Sequence, residues 1–340
     1  MKKDKIHSIE LGRVIAIFAI LAMHCQMFLT YWQYQGTPWF GYIFNQTTRF
    51  AVPLFFLIAG YLIQPKLSAA PIETLKRYIT PLFRIFVVWS LICLLMPFNF
   101  GVLFEHGYLA ERQGYWHFLA QNPINSLMEG GLVHLWFLSA LMLAATLCAF
   151  FIHKDMLGWM LPVAALLYLY GTLAGSYQLV TEMWAPFFTR NGPFFSTLLF
   201  TAGLLIRQQN VSVTARQALF IAFSGMAIHF GEAYWLSSLG HTFNENDYLF
   251  GTLLWSLGCF LWLLAKPELG KGWAITSLSK YVLAIYVSHL PMIILMMNIT
   301  GMAGMTGASK DAAVLIGTVF LTLTFVTTMS KTPLRRWLFR

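Results

Sequence analysis

Arg13 and His24 stand eleven residues apart in the run RVIAIFAILAMH. At about 100° per residue that interval is roughly 20° past three full turns, so a helix sets both side chains on one face, roughly 16 Å apart along its axis. A fixed cation and a titratable ring so disposed could hold an anionic ligand at one end and move a proton at the other. Each also has a plainer role, Arg13 as a cation snorkelling to a membrane edge and His24 as a core histidine bonded to a backbone carbonyl. Arg49 opens the run RFAVPLFFLIAGYL and either orients an anionic or carbonyl-bearing ligand or pairs with Glu129 or Glu182. Within that run, Pro53 and Gly60 read as a kink and a close helix contact.

Arg77 and Arg84, seven apart in LKRYITPLFRIF, share a helix face. With Arg13 they could form a basic mouth for a phosphorylated ligand, or they contact lipid headgroups. His134 in GGLVHLWFLSALM should sit at the depth of His24 and could meet it in a cavity, while His289 falls mid-run in YVLAIYVSHLP. His229 and Glu232 read as a local pair three residues apart. No HExxH, GxSxG, GxGxxG or Walker A pattern occurs, which removes the common zinc-hydrolase, serine-hydrolase and nucleotide-binding routes. The four cysteines show no CxxC spacing, so neither a disulfide framework nor a metal site is expected.

These groups must be carried by membrane helices. Of 340 residues 58% are hydrophobic and only 10% charged, with a mean hydropathy of +0.65, whereas a soluble domain carries about 25% charged residues. Apolar runs between polar breaks predict ten helices, at 13–31, 49–64, 78–97, 133–152, 157–174, 192–207, 216–235, 248–265, 280–299 and 312–330. The run 157–174, with Pro162 and Gly171, is also compatible with a re-entrant hairpin. Ten spans put both termini on one side. That side then carries 18 of the 22 basic residues, Lys2, Lys3 and Lys5 among them, against Arg49, Arg112, Arg190 and Lys310 on the other. The asymmetry is what cytoplasmic termini require.

The net charge of +9 is therefore a topology signal, and no nucleic-acid partner is expected. The outward segments 31–48, 98–132 and 236–247 carry Trp, Tyr, Asn, Gln and acids, as an interfacial aromatic belt or a carbohydrate-facing surface would. The chain reads as all-α and polytopic, one integral-membrane domain over 1–340 with a retained first span and no appended soluble domain.

In order, the motifs resemble membrane-bound acyltransferase family 3, whose members O-acylate cell-envelope glycans. Glu10, Gly12, Arg13 and His24 are similar to that family's opening helix, and Arg49 to Phe56 followed by Ala59, Gly60 and Tyr61 to its second. Arg77 and Arg84 match the entry to the third, His134 to Leu138 the fourth, Ser279 to Tyr281 with Tyr286 and His289 a late YxxH motif, and Pro333, Arg335 and Arg336 the tail. Glu10 replaces the family's usual Asp and Ala59 its usual Ser, which removes a hydroxyl there. The lack of an esterase-like domain points to the stand-alone subgroup, similar to the enzymes that acetylate enterobacterial common antigen.

The resemblance implies a bacterial inner-membrane enzyme that moves an acyl group, most often acetyl, from cytosolic acyl-CoA to a sugar hydroxyl of an envelope polysaccharide or its lipid-linked precursor. It implies that His24 and Glu10 form the catalytic set, His24 as general base or transient acyl acceptor. Arg13, Arg77 and Arg84 would hold the nucleotide end of the donor, and Arg49, His134, Trp136 and His289 would orient the acceptor or the carbonyl. The rival expectation is a proton-coupled transporter or flippase with His24, His134 and His289 as relay.

Overall fold

A computed structural model describes residues 6–340, so Lys2, Lys3 and Lys5 of the charge count lie outside the described residues. Every one of the ten apolar runs contains a helix. In chain order these are α1 (His7–His24), α2 (Ala51–Ala69), α3 (Pro71–Leu95), α4 (Trp136–His153), α5 (Leu157–Leu173), α6 (Pro193–Gln208), α7 (Ala215–Ser238), α8 (Phe250–Ala265), α9 (Val282–Met302) and α10 (Gly307–Met329). Among the described residues seven helical segments, those containing α1, α2, α3, α4, α7, α9 and α10, are long and apolar enough to cross a membrane. No strand occurs among the described residues, apart from one isolated bridge between Tyr34 and Thr37. The protein is an all-α polytopic membrane protein.

The structure differs from the expected boundaries where chemistry overrides hydropathy. α1 stops at His24 instead of continuing to residue 31, because Gln26, Phe28 and Trp32 adopt φ of 50°, 65° and 57°. The carboxylate of Asp311 accepts the Phe28 N–H at 2.6 Å and the Tyr31 hydroxyl at 3.0 Å, pinning this turn to α10. The apolar residues that lengthened the run form an aromatic plug instead, Phe28 stacking on Trp32 at 5.5 Å and meeting Phe40 and Phe44 edge-on. The segments expected to face outward also fold: Trp39–Thr47, Phe100–Gln121 and Pro123–Glu129 are helical, the second kinked at Gly107, where φ is 83°. In that helix Arg112 is wholly buried, its guanidinium 4.2 Å over the Phe98 ring. The run at 157–174 is one continuous helix despite Pro162, not a re-entrant hairpin.

Lipid tails are as apolar as leucine, so burial alone does not hold such helices together and close approach must. α2 and α6 meet at two glycines. A Cβ on Gly60 would stand 2.0 Å from the Phe200 carbonyl oxygen, and one on Gly203 would stand 2.0 Å from that of Leu57. Gly60 is thus a contact point, and Pro53 sits in the first turn of α2, where its missing N–H costs no helical bond. α1 packs alongside α9 and the 3₁₀ segment before it, Ala274–Tyr281. That contact brings the two ends of α1 against the late motif.

Candidate active site

Two chambers lie at opposite ends of α1. The larger, about 800 Å³, opens where α2 turns into α3 and is lined by Arg13, Ala59, Lys66, Glu73, Arg77 and Tyr78, with Phe137 and Tyr286 at its inner end. The smaller, about 270 Å³, is lined by His24, Asn45, Arg49, His134, Trp136, Arg190, Asp247 and Tyr286. Arg13 and His24 therefore face different chambers from one helix face, about 16 Å apart.

His24, His134 and His289 converge from α1, the 3₁₀ turn Val133–Leu135 and α9. His289 Nδ1 lies 2.5 Å from the Tyr286 carbonyl, and its Nε2 lies 3.0 Å from His24 Nδ1. A carbonyl only accepts, so His289 Nδ1 carries the proton and, in the neutral ring, its Nε2 is an acceptor. His24 Nδ1–H must then donate to it. The His24 Nε2 lone pair is left for the chamber. By the same logic His134 Nε2 donates to the Val287 carbonyl at 3.0 Å, and its buried Nδ1 is an acceptor with no partner. The Tyr286 hydroxyl donates to the His134 carbonyl, tying α9 to the turn.

The outer wall of the smaller chamber is a chain of charges. Arg49 donates to Asp247 at 3.2 Å, to the Asn45 side chain at 3.1 Å and to the Asn244 carbonyl at 3.0 Å. Arg190 bridges Asp247 at 2.8 Å and Glu129 at 2.9 Å. Arg49 thus pairs with Asp247, not with Glu129 or Glu182; Glu129 is taken by Arg190, and Glu182 is exposed at φ 55° after a short turn of helix. Burial works against both loop charges, but Arg190 and Arg49 hold the Asp247 carboxyl below its usual range, and Asp247 and Glu129 keep Arg190 protonated beyond its ordinary value.

His229 does not pair with Glu232. Its Nδ1 meets the Thr252 hydroxyl at 2.8 Å and its Nε2 the Gln46 side chain at 2.9 Å, and Gln46 reaches the Asn246 carbonyl at 3.4 Å. This brace holds the loop that presents Asp247. Glu232 instead accepts the Tyr177 hydroxyl and the Gly251 N–H.

At the other end, Ser279 donates to the Glu10 carboxylate, so Glu10 ties α1 to the segment before α9. Glu10 and His24 are about 21 Å apart along α1 and do not meet. Arg77 is held by Glu73 at 2.6 Å at the chamber rim. Arg84 does not line that chamber: it donates to the Arg340 carbonyl at 2.8 Å with Trp337 beneath its guanidinium, and with the Trp89 indole bond to the Leu338 carbonyl it anchors the C-terminal helix Arg335–Leu338 on α3. Lys66 takes the rim position expected of Arg84. Sequence reasoning missed Lys66, Arg190 and Asp247 as site residues. Arg112, Arg190 and Lys310 were the other cations expected beside Arg49 on the outward side, and that rarity was the available signal for Arg190.

The fold and site define a helical membrane bundle with a basic chamber at one end and a histidine-lined chamber at the other. Residues 6–330 match the acyltransferase family 3 model, described as an acyltransferase domain. The chain belongs to that family. It is 26% identical over 264 residues to a serine/alanine racemase of Enterococcus gallinarum, covering 71% of this chain and 35% of that protein. It is 24% identical over 277 residues to an amino-acid racemase of Enterococcus faecalis, covering 77% and 36% respectively. The chain spans about a third of the length of these curated relatives, whose names describe the larger proteins. No solved structure matches it.

Proposed function

We propose that the protein is an O-acyltransferase, most simply an O-acetyltransferase, of the bacterial inner membrane. It takes the acyl group from cytosolic acyl-CoA and passes it to a sugar hydroxyl of an envelope polysaccharide or a lipid-linked precursor. In this reading the ten runs all span, both termini are cytoplasmic as the basic asymmetry leads us to expect, and the larger chamber faces the cytosol. The observation that carries the reading is the opening of Arg13 and His24, on one face of α1, into separate chambers. Coenzyme A bears phosphates at one end and its thioester at the end of a long flexible arm, which suits a basic rim of Arg13, Lys66 and Arg77 with a base about 16 Å deeper.

In this reading the acceptor hydroxyl gives its proton to His24 Nε2 as its oxygen adds to the thioester carbonyl carbon. The C–S bond then breaks, the sulfur leaves as CoA thiol with the proton from His24, and an ester remains. His289 fixes the tautomer of His24 and receives a stronger hydrogen bond from the imidazolium. Arg49 and Arg190 border the chamber in which carbonyl oxygen charge develops. A proton relay through the three rings fits less well, because the outer nitrogens of His289 and His134 end on backbone carbonyls.

The test is incubation of the purified protein in nanodiscs with radiolabelled acetyl-CoA and extracted envelope glycolipids. Label should enter an alkali-labile glycan ester with the natural chain and not with His24→Ala. No transfer and no acyl-CoA binding by the natural chain would overturn the reading.

A further inference from the structure

Tyr286 is a wall of both chambers. On its donor side stands Phe137, with ring centres 5.2 Å apart; the preceding residue, Trp136, faces the other chamber. Its hydroxyl is bonded to the His134 carbonyl, which fixes the ring where the two linings meet, and only 6% of the residue is exposed. His24 lines the outer chamber alone, and Arg13 the donor chamber alone. Tyr286 is the one residue that the two linings share.

We propose that Tyr286 is the partition between donor and acceptor, a positioning side chain that swings aside for the thioester and otherwise keeps outer-chamber water from it. This rests on the acyl-transfer reading. With the partition intact, the acceptor hydroxyl is the oxygen that attacks. With it lost, water attacks instead: its oxygen bonds to the thioester carbonyl carbon, the C–S bond breaks, the sulfur takes a proton to become CoA thiol, and the acyl group leaves as the free acid. The residue therefore sets the ratio of transfer to hydrolysis.

Two measurements on the full chain test this. In the first, CoA released and ester formed are followed together in nanodiscs for the natural chain, Tyr286→Phe and Tyr286→Ala, with folding checked by thermal melting. Removing the ring should raise CoA released per ester by about tenfold or more, while Phe, which keeps the ring, should stay within about threefold of the natural ratio. An unchanged ratio in Tyr286→Ala overturns the proposal.

The second measurement needs no donor. Ala59→Cys places a thiol on the donor-chamber wall, and a membrane-impermeant thiol reagent is added to oriented proteoliposomes on the side to which the outer chamber opens. Modification of that position, read by peptide mass spectrometry, should require Tyr286→Ala. Equal labelling with and without Tyr286 overturns the partition. A natural chain that uses no acyl-CoA defeats the acyl-transfer reading while the labelling still decides the barrier.

Discussion

Replacing His289 tests the tautomer argument most directly. The His24–His289 bond is 3.0 Å between neutral rings in the resting site, a contact worth about 0.5–1.5 kcal/mol, and becomes charge-assisted, about 1.5–3 kcal/mol, when His24 carries the acceptor's proton. His289→Ala removes the tautomer bias and this strengthening together, so kcat should fall roughly 10- to 150-fold at one decade per 1.36 kcal/mol. His289 is absent from the donor-chamber lining, so KM for acetyl-CoA should hardly move. His289→Gln, whose side-chain oxygen can accept from His24 Nδ1, should recover most of the loss, which separates hydrogen bonding from packing. The assay is steady-state transfer from acetyl-CoA to glycolipid at saturating acceptor. A kcat for His289→Ala within about threefold of the natural chain, or an equal loss in donor affinity, would refute the assignment.

The other expectations follow from the chamber walls and the helix contacts. Arg13→Ala should weaken acetyl-CoA binding roughly 10- to 150-fold through loss of a charge-assisted contact, whereas Arg84→Ala should leave calorimetric affinity within about twofold and lower the melting temperature, because Arg84 holds the C-terminal helix. Gly60→Ala drives a methyl into a backbone carbonyl and should destabilise the fold by about 1–3 kcal/mol, seen in thermal melts in detergent. Asp247 is held below its unfolded value, so its contribution is fully present above that value and is lost as pH falls through the lower folded one; melting temperature should drop more steeply in acid for the natural chain than for Asp247→Asn. A reporter fused after Arg340 should prove cytoplasmic, and a periplasmic signal would overturn the ten-span topology.

Local signals carried a large part of the reading. A run of apolar residues must satisfy its own backbone hydrogen bonds in lipid, so each of the ten runs folded as a helix wherever the hydropathy placed one. Helical periodicity likewise set Arg13 and His24 on one face before any packing was known. Boundaries were less legible where a polar anchor intervened: the stop of α1 depends on Asp311, nearly the whole chain away.

Partners were the part that only tertiary structure decided. In a soluble protein the apolar face of a helix marks the core, but here lipid and core are both apolar, and the sequence pattern does not say which side of a helix meets which neighbour. Hence His289, expected among acceptor-orienting residues, turned out to hold His24 directly, and Arg49 found Asp247 rather than Glu129. Arg84 has the right helical spacing for the rim of the larger chamber, yet the C-terminal helix that packs on α3 draws it away. The sequence by itself determined an all-α membrane protein and the helix that joins its two chambers. The order of helices in the bundle decided which buried charge faces which, because such contacts join residues up to 283 positions apart and no local period encodes them.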